Sequence, residues 1–382
     1  MAPGTRRRST AGPFAVIFSG DTRADGVPYM AQVTDAGTLV AVPNPGGRAP
    51  VGALCWHRAL KRWVGMGCYL STPGLYMSAS AAISEMFPGA TWTAKNGRSA
   101  RENPYSFAYN YACQMPDGGV ALITYDGADT QFRVEIIDAS GALSVASVLA
   151  LPGEPSRIFC PRGGTRLFVW CWNGAANNPL YWADAPYNAW TLCTGTDTGY
   201  HNEFALLARS SATELRALRP WVRYGPSSGS QDEIWQSHDN GASWSLLSQP
   251  WGIYGALTAD ARSALEPSRI NGRWYWTTYG DVNAPVFIST ADLVTFETTS
   301  IPVGQNRGAP GQFAGSPIPD QFFMRGTNPA TAWATSSGLV ALKRTAGAIA
   351  YDDAVAEFPS PGGFPGNTQY APRDDRAWAF EL

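Results

Sequence analysis

The sequence predicts an all-β chain folded as a β-propeller, a ring of four-stranded antiparallel sheets. Three observations carry this. Turn formers are abundant, with 40 Gly and 29 Pro, and so are strand-favouring aromatics, with 15 Trp, 16 Tyr and 16 Phe. An eight-residue turn pattern recurs at near-constant spacing. A five-residue segment, Glu-Pro-Ser-Arg-Ile, occurs at 154–158 and again at 266–270, about two repeats apart.

The best copy of the turn is residues 237–244, where Ser237, Asp239, Gly241 and Trp244 follow the order Ser-x-Asp-x-Gly-x-x-Trp. Weaker copies keep Asp35 and Gly37, then Gly89 and Trp92, then Gly141, then Trp190, then Ser289 with Phe296 in place of Trp, and finally Gly338. The windows start at residues 33, 85, 137, 183, 237, 289 and 334, so the spacing stays between 45 and 54 residues. That period, filled by strands and turns, predicts seven blades, or six if one window is a chance match.

Each unit reads as a first strand, a hairpin, an aromatic second strand, a third strand, the recurrent turn and a fourth strand. Glu-Pro-Ser-Arg-Ile supplies the first strand. "RLFVWCW" and "RWYWTTYG" supply aromatic second strands, the latter after Asn271-Gly272, a two-residue hairpin signal. Segment 368–382 reads as the opening part of a blade whose remainder is 14–20 and 29–42. Pairing of the two termini would close the ring and remove exposed strand edges. Residues 1–13, with Arg6, Arg7 and Arg8, read as a flexible basic arm, and 14–382 as a single propeller domain. Segment 204–220 is the best helical candidate, with a strand-and-loop reading an equal alternative.

Composition excludes several classes. A net charge of −2 with 15% charged residues argues against a nucleic-acid binder. No apolar run reaches the length of a membrane helix, and no apolar stretch follows the N-terminal arginines as in a secretory signal. The six cysteines lack metal or redox spacing and are expected reduced and buried. His57, His201 and His238 are scattered, and the acidic segment 351–357 lacks calcium-loop spacing, so neither a metal nor another cofactor is expected. No nucleophile-elbow, phosphate-loop or dinucleotide fingerprint occurs.

Ser237, Asp239, Gly241 and Trp244 match the Asp-box, and the chain in this respect resembles the sialidase-like β-propellers. The resemblance implies a turn at the blade periphery that shapes the fold and takes no part in chemistry. It also implies, for an enzyme of that family, an Arg triad, a Tyr–Glu nucleophile pair and an Asp acid/base, introduced by a Phe/Tyr-Arg-Ile-Pro strand. That tetrapeptide is absent. The nearest segments are Ser156-Arg157-Ile158 and Ser268-Arg269-Ile270. No catalytic residue is therefore assigned, and if the chain is an enzyme it is a glycoside hydrolase. Arg157, Arg269 and Arg216 (or Arg219), with Tyr275 or Glu266, form a candidate anion- or glycan-binding row.

The favoured function is a non-enzymatic assembly platform, since in this feature the chain resembles the propeller-based tail hub or nozzle proteins of bacteriophage particles. Its partners would be other tail proteins or copies of itself in a ring. Its place would be the virion, assembled in the host cytoplasm. The alternatives are a sialidase-like glycan-binding or glycan-cleaving protein and a cytoplasmic protein-interaction propeller.

Overall fold

The computed structural model describes residues 14–18, 29–33, 39–42, 52–67, 74–79, 93–98, 111–173, 178–196, 204, 206–223, 230–249, 268–270, 273–281, 284–300, 313–315, 321–326, 338–345, 348–351, 358–359 and 377–380. These residues are strands and turns, with no helix among them. The basic N-terminal arm lies outside the described residues, as do His201, Glu266 and most of the acidic segment 351–357.

The strands follow one another in sheets. The first sheet holds β1 (Phe14–Phe18), β2 (Tyr29–Val33) and β3 (Leu39–Val42). The second holds β4 (Gly52–His57), β5 (Arg62–Gly67), β6 (Gly74–Met77) and β7 (Thr93–Asn96). The third holds β8 (Ala112–Gln114), β9 (Val120–Asp126), β10 (Gln131–Ile137) and β11 (Leu143–Leu149). The fourth holds β12 (Glu154–Phe159), β13 (Leu167–Trp172), β14 (Leu180–Ala183) and β15 (Thr191–Leu192). The fifth holds β16 (Leu206–Arg209), β17 (Leu215–Arg223), β18 (Ser230–Ser237) and β19 (Ser245–Ser248). The sixth holds β20 (Ser268–Ile270), β21 (Arg273–Asp281), β22 (Ala284–Thr290) and β23 (Phe296–Ser300). The seventh holds β24 (Phe313–Gly315), β25 (Gln321–Gly326), β26 (Gly338–Thr345) and β27 (Ala348–Tyr351), with the short β28 (Phe358–Pro359) also on β26.

Every strand pair is antiparallel, and neighbours in sequence are neighbours in the sheet. The last strand, β29 (Ala377–Phe380), leaves this order and pairs with β1, setting Ala379 opposite Val16. It thereby completes the first sheet in the order β29-β1-β2-β3 and takes the first-strand place in it. The first strands of neighbouring sheets lie side by side: β4 against β8, β8 against β12, β20 against β24, and β24 against β29. Meandering sheets packed face to face around their first strands make a β-propeller.

Burial follows position in the sheet. In the middle strands β9 and β13, five consecutive residues are buried, because adjacent sheets cover both faces. These strands therefore read as continuous apolar runs (VALIT, LFVWC) rather than alternating ones. The fourth strand β11 has one covered face and an open edge, so exposed and covered residues mix along it. One apolar cluster joins the second, third and fourth sheets through Met66, Val120, Ile123, Val134, Ile158 and Val169. A second joins the fourth and fifth through Phe168, Trp170, Phe204, Ala217 and Trp244.

The helical alternative for 204–220 is not what forms. Leu206–Arg209 and Leu215–Arg223 are strands, joined by a turn in which the Ser210 amide donates to the Glu214 carbonyl. The apolar spacing that allows a helix also fits two sides of a strand. Leu215 and Ala217 face the fourth sheet, and Leu218 packs toward the sixth.

Six of the seven sequence windows fall between third and fourth strands, at β2–β3, β6–β7, β10–β11, β14–β15, β18–β19 and β22–β23. The window at 334–341 instead overlaps the start of β26, a third strand. Its single shared residue, Gly338, pairs with Gly326 inside a ladder and marks no turn. Two other windows are one residue out of register. In the third sheet the carboxylate at the turn is Asp138, which accepts from the amides of Ser140 (2.9 Å) and Ala142 (3.0 Å). In the sixth, Thr290 and Asp292 do the work of a Ser-x-Asp pair, with Thr290 Oγ1 donating to Asp292 Oδ1 at 3.1 Å.

Candidate functional site

The turn at 237–244 is built from its own side chains. Ser237 Oγ donates to Asp239 Oδ1 (2.7 Å) and accepts from the Gly241 amide (2.8 Å). Asp239 also accepts from the amide and hydroxyl of Ser243, at 2.9 and 2.6 Å. Gly241 has φ +86°, and Trp244 Nε1 donates to its carbonyl at 2.9 Å. Burial works to raise the Asp239 carboxyl, but the hydrogen bonds from Ser243 and Ser237 outweigh it and hold the group below the usual carboxylate range.

This turn is also a joint between sheets. The Thr194 amide donates to the Ala242 carbonyl, and the Trp244 amide donates back to the Thr194 carbonyl, both at 2.9 Å. Arg166 binds Asp184 through two hydrogen bonds of 2.9 and 2.8 Å, lies 3.6 Å over the Trp182 ring, and donates to the Asn240 carbonyl at 2.9 Å. The second and third sheets are joined similarly. Their link runs from the Ala59 amide to the Gly118 carbonyl, and from His57 Nε2 to the Asp138 carbonyl (2.8 Å). The Leu60 amide donates to His57 Nδ1 at 3.2 Å, so the neutral ring with its proton on Nε2 satisfies both contacts.

The candidate anion-binding row separates into two groups. Both Glu-Pro-Ser-Arg-Ile copies bear first strands, β12 and β20. Arg157 stands opposite Trp170 and Arg269 opposite Trp274, so the two occupy equivalent places two sheets apart. A bulge at Ser156, whose hydroxyl donates to the Glu154 carbonyl at 2.8 Å, sets the aim of Arg157. Arg157 is buried, 4% exposed. Tyr275 lies on β21 between Ser268 and Ser289, and the side chains of Arg269 and Tyr275 lie outside the described residues. Arg216 is not on a first strand. It sits on β17, half-buried, on the opposite face of that strand from Arg219. Strand alternation thus turns Arg216 toward the sixth sheet and Arg219 toward the fourth.

Sequence reasoning missed the ion pairs within and between the sheets. Glu233, fully buried, faces Arg219 at 3.9 Å and accepts from Trp235 Nε1 (2.7 Å) and Gln249 Nε2 (3.2 Å). The Arg219 guanidinium lies 4.7 Å from the Trp235 ring and 5.1 Å from Phe204. Glu135, also fully buried, accepts from Arg98 and from Asn96 Nδ2 at 3.0 Å. Glu297 receives two bonds of 2.6 Å from Arg344 and lies 3.1 Å from Arg273, tying the sixth sheet to the seventh. The signal available in sequence was an acid inside an apolar third strand, as in "FRVEII" and "DEIWQS".

Arg344 is the main reason the Glu297 carboxyl is held below its usual 4.5, with Arg273 and Ser289 helping against burial. A carboxyl with a lowered folded-state pKa stabilises the fold above its unfolded value, and that contribution is lost as pH falls through the folded value. Acid titration followed by tryptophan fluorescence should therefore show wild type losing more stability below about pH 4.5 than an Arg344→Gln, Glu297→Gln variant does. Equal acid sensitivity would remove this pair from the acid response.

Among the described residues no three His, Cys, Asp or Glu side chains group as a metal would need. The five described cysteines are free thiols. Burial pushes Cys55 and Cys193 up to about 12 and Cys160 up to about 11, and raises Cys113 and Cys171 as well. Groups so raised supply little thiolate near neutrality.

Fold and turn geometry define the class, a β-propeller. No protein-family profile and no curated protein matches the chain. Solved structures do. A candidate 6-phosphogluconolactonase from Bacteroides uniformis is 12% identical, with TM-score 0.59, covering 96% of this chain and 99% of its own. A hypothetical selenium-binding protein from Sulfolobus tokodaii is 11% identical, with TM-score 0.54, over 95% and 97%. A protein from Lactobacillus plantarum is 15% identical, with TM-score 0.53, over 96% and 99%. At these identities the likeness is one of fold.

Proposed function

We propose that the chain is a seven-bladed propeller, closed by the pairing of β29 with β1, that serves as a non-enzymatic assembly platform. Within that reading it is a structural component of a bacteriophage particle, at the tail hub or nozzle, assembled in the host cytoplasm and contacting other tail proteins or further copies of itself. The observation that carries the platform reading is the use made of paired charge within and between the sheets. Glu135, Glu233 and Glu297 are each bound to guanidinium groups that cross-link strands or sheets, and the turns of neighbouring sheets interlock through backbone hydrogen bonds. Such a body resists shear between its blades, as an assembly platform must.

A glycan-directed reading rests on one observation, the equivalent placement of Arg157 and Arg269 on first strands. One experiment separates the two. Purified protein and an Arg157→Ala, Arg269→Ala double variant are assayed on fluorogenic sialosides, related acidic glycosides and 6-phosphogluconolactone, with sedimentation velocity run in parallel. The platform reading expects no turnover and self-association beyond the monomer or with tail proteins. Turnover abolished by the double variant would replace it with an enzyme.

A further inference from the structure

We propose that the seam between the second and third sheets, at the His57–Arg62 turn, is a docking site for a short acidic segment of a partner protein. The inference does not depend on the platform reading, since an enzyme can carry such a site equally well. Arg58 and Lys61 on the turn between β4 and β5, and Arg62 at the start of β5, are all exposed. Lys61, with φ +51°, holds the left-handed conformation of the tight turn, so the three cations fall within five consecutive residues. A fourth cation joins them from β7. Lys95 Nζ donates to the Gly141 carbonyl at 3.2 Å, and Gly141 lies against the Leu60 side chain of the same turn. Two of the three lysines in the chain are therefore at this seam.

None of these four cations forms an ion pair among the described residues; Arg58 donates only to the Pro116 carbonyl, at 2.8 Å. Among the described residues two carboxylates neighbour this corner, and both are committed to their own turns. Asp117 accepts from the Gly119 amide at 2.9 Å, and Asp138 from Ser140 and Ala142. Four cations against two such carboxylates leave a locally positive corner on a chain of net charge −2. Screening limits the reach of that corner to about 8 Å at physiological salt. A short run of Asp or Glu lying across it feels the corner alone, whereas a long nucleic acid also feels the negative remainder of the surface. Charge complementarity at this scale favours an acidic peptide.

The test is fluorescence anisotropy of a labelled hexaglutamate peptide against the full chain and an Arg58→Ser, Lys61→Asn, Arg62→Ser variant. Arg162→Ser, an exposed cation on another turn, is the control, and melting curves verify that each variant folds. The expected result is binding weakened about tenfold by the triple variant and by raising salt, with Arg162→Ser unchanged. Failure of hexaglutamate to bind, or equal binding by the triple variant, overturns the proposal. Tighter binding of a short DNA duplex, lost in the triple variant, overturns it in favour of a nucleic acid.

Discussion

Replacing Glu233 with alanine is expected to lower stability by about 3–5 kcal/mol, measured as a fall in the urea midpoint at unchanged slope. The expectation follows from burial and pairing together. Glu233 and Arg219 have no solvent exposure, and they stand opposite each other on the two middle strands of the fifth sheet. Removing the carboxylate leaves a guanidinium between Trp235 and Phe204 without the countercharge 3.9 Å away, and it also strands Trp235 Nε1, which donates to Glu233. A paired substitution separates the cost of breaking this pair from the value of having it. Arg219→Met with Glu233→Leu fills similar volume without charge and should recover most of the loss. If Glu233→Ala alone costs under about 1 kcal/mol, the pair contributes no more than an exposed one and the platform argument loses its main support.

The second large effect is expected at Gly195. It has φ +78°, and a β-carbon built on it would sit inside the Trp244 carbonyl oxygen, on the backbone bridge that joins the fourth and fifth sheets. Gly195→Ala should therefore cost about 2–5 kcal/mol, combining a left-handed non-glycine residue with overpacking. Gly163 is the matched control. Its φ is +80°, but nothing lies within 4 Å of an added β-carbon. Gly163→Ala should show the conformational cost alone, about 1–2 kcal/mol. The two variants melting alike would mean that the sheets part at this joint without loss to the rest.

The elements legible in sequence were those whose signal is local. Asp239 and Gly241 announce a turn because the carboxylate binds amides within four residues and glycine tolerates the backbone angle. The first strands of the fourth and sixth sheets were legible because Glu-Pro-Ser-Arg-Ile repeats with an aromatic strand after it. Two-residue closure of β20 and β21, with Ile270 opposite Arg273, follows from Asn271-Gly272 in the same way. Where the turn chemistry shifts by one residue, as at Asp138 and Thr290, window matching places the repeat and misses the residue that binds. At Gly338 it matches a ladder residue, because one shared glycine carries no information about the turn's hydrogen bonds.

The candidate site shows the other limit. Arg157, Arg216, Arg219 and Arg269 are alike as letters. Strand position and alternation set them apart, placing two on first strands and two on opposite faces of β17. The acids that hold guanidinium groups come from other strands and other sheets, up to 47 residues away in the case of Arg344 and Glu297. By itself the sequence determined the repeat, the strand content and the turn that shapes the fifth sheet, since each depends on residues within one hairpin. Only the tertiary structure decided which charges are buried, which partner each one faces and which turns lock neighbouring sheets. Those depend on faces brought together by packing between repeats, where separation along the chain no longer measures distance.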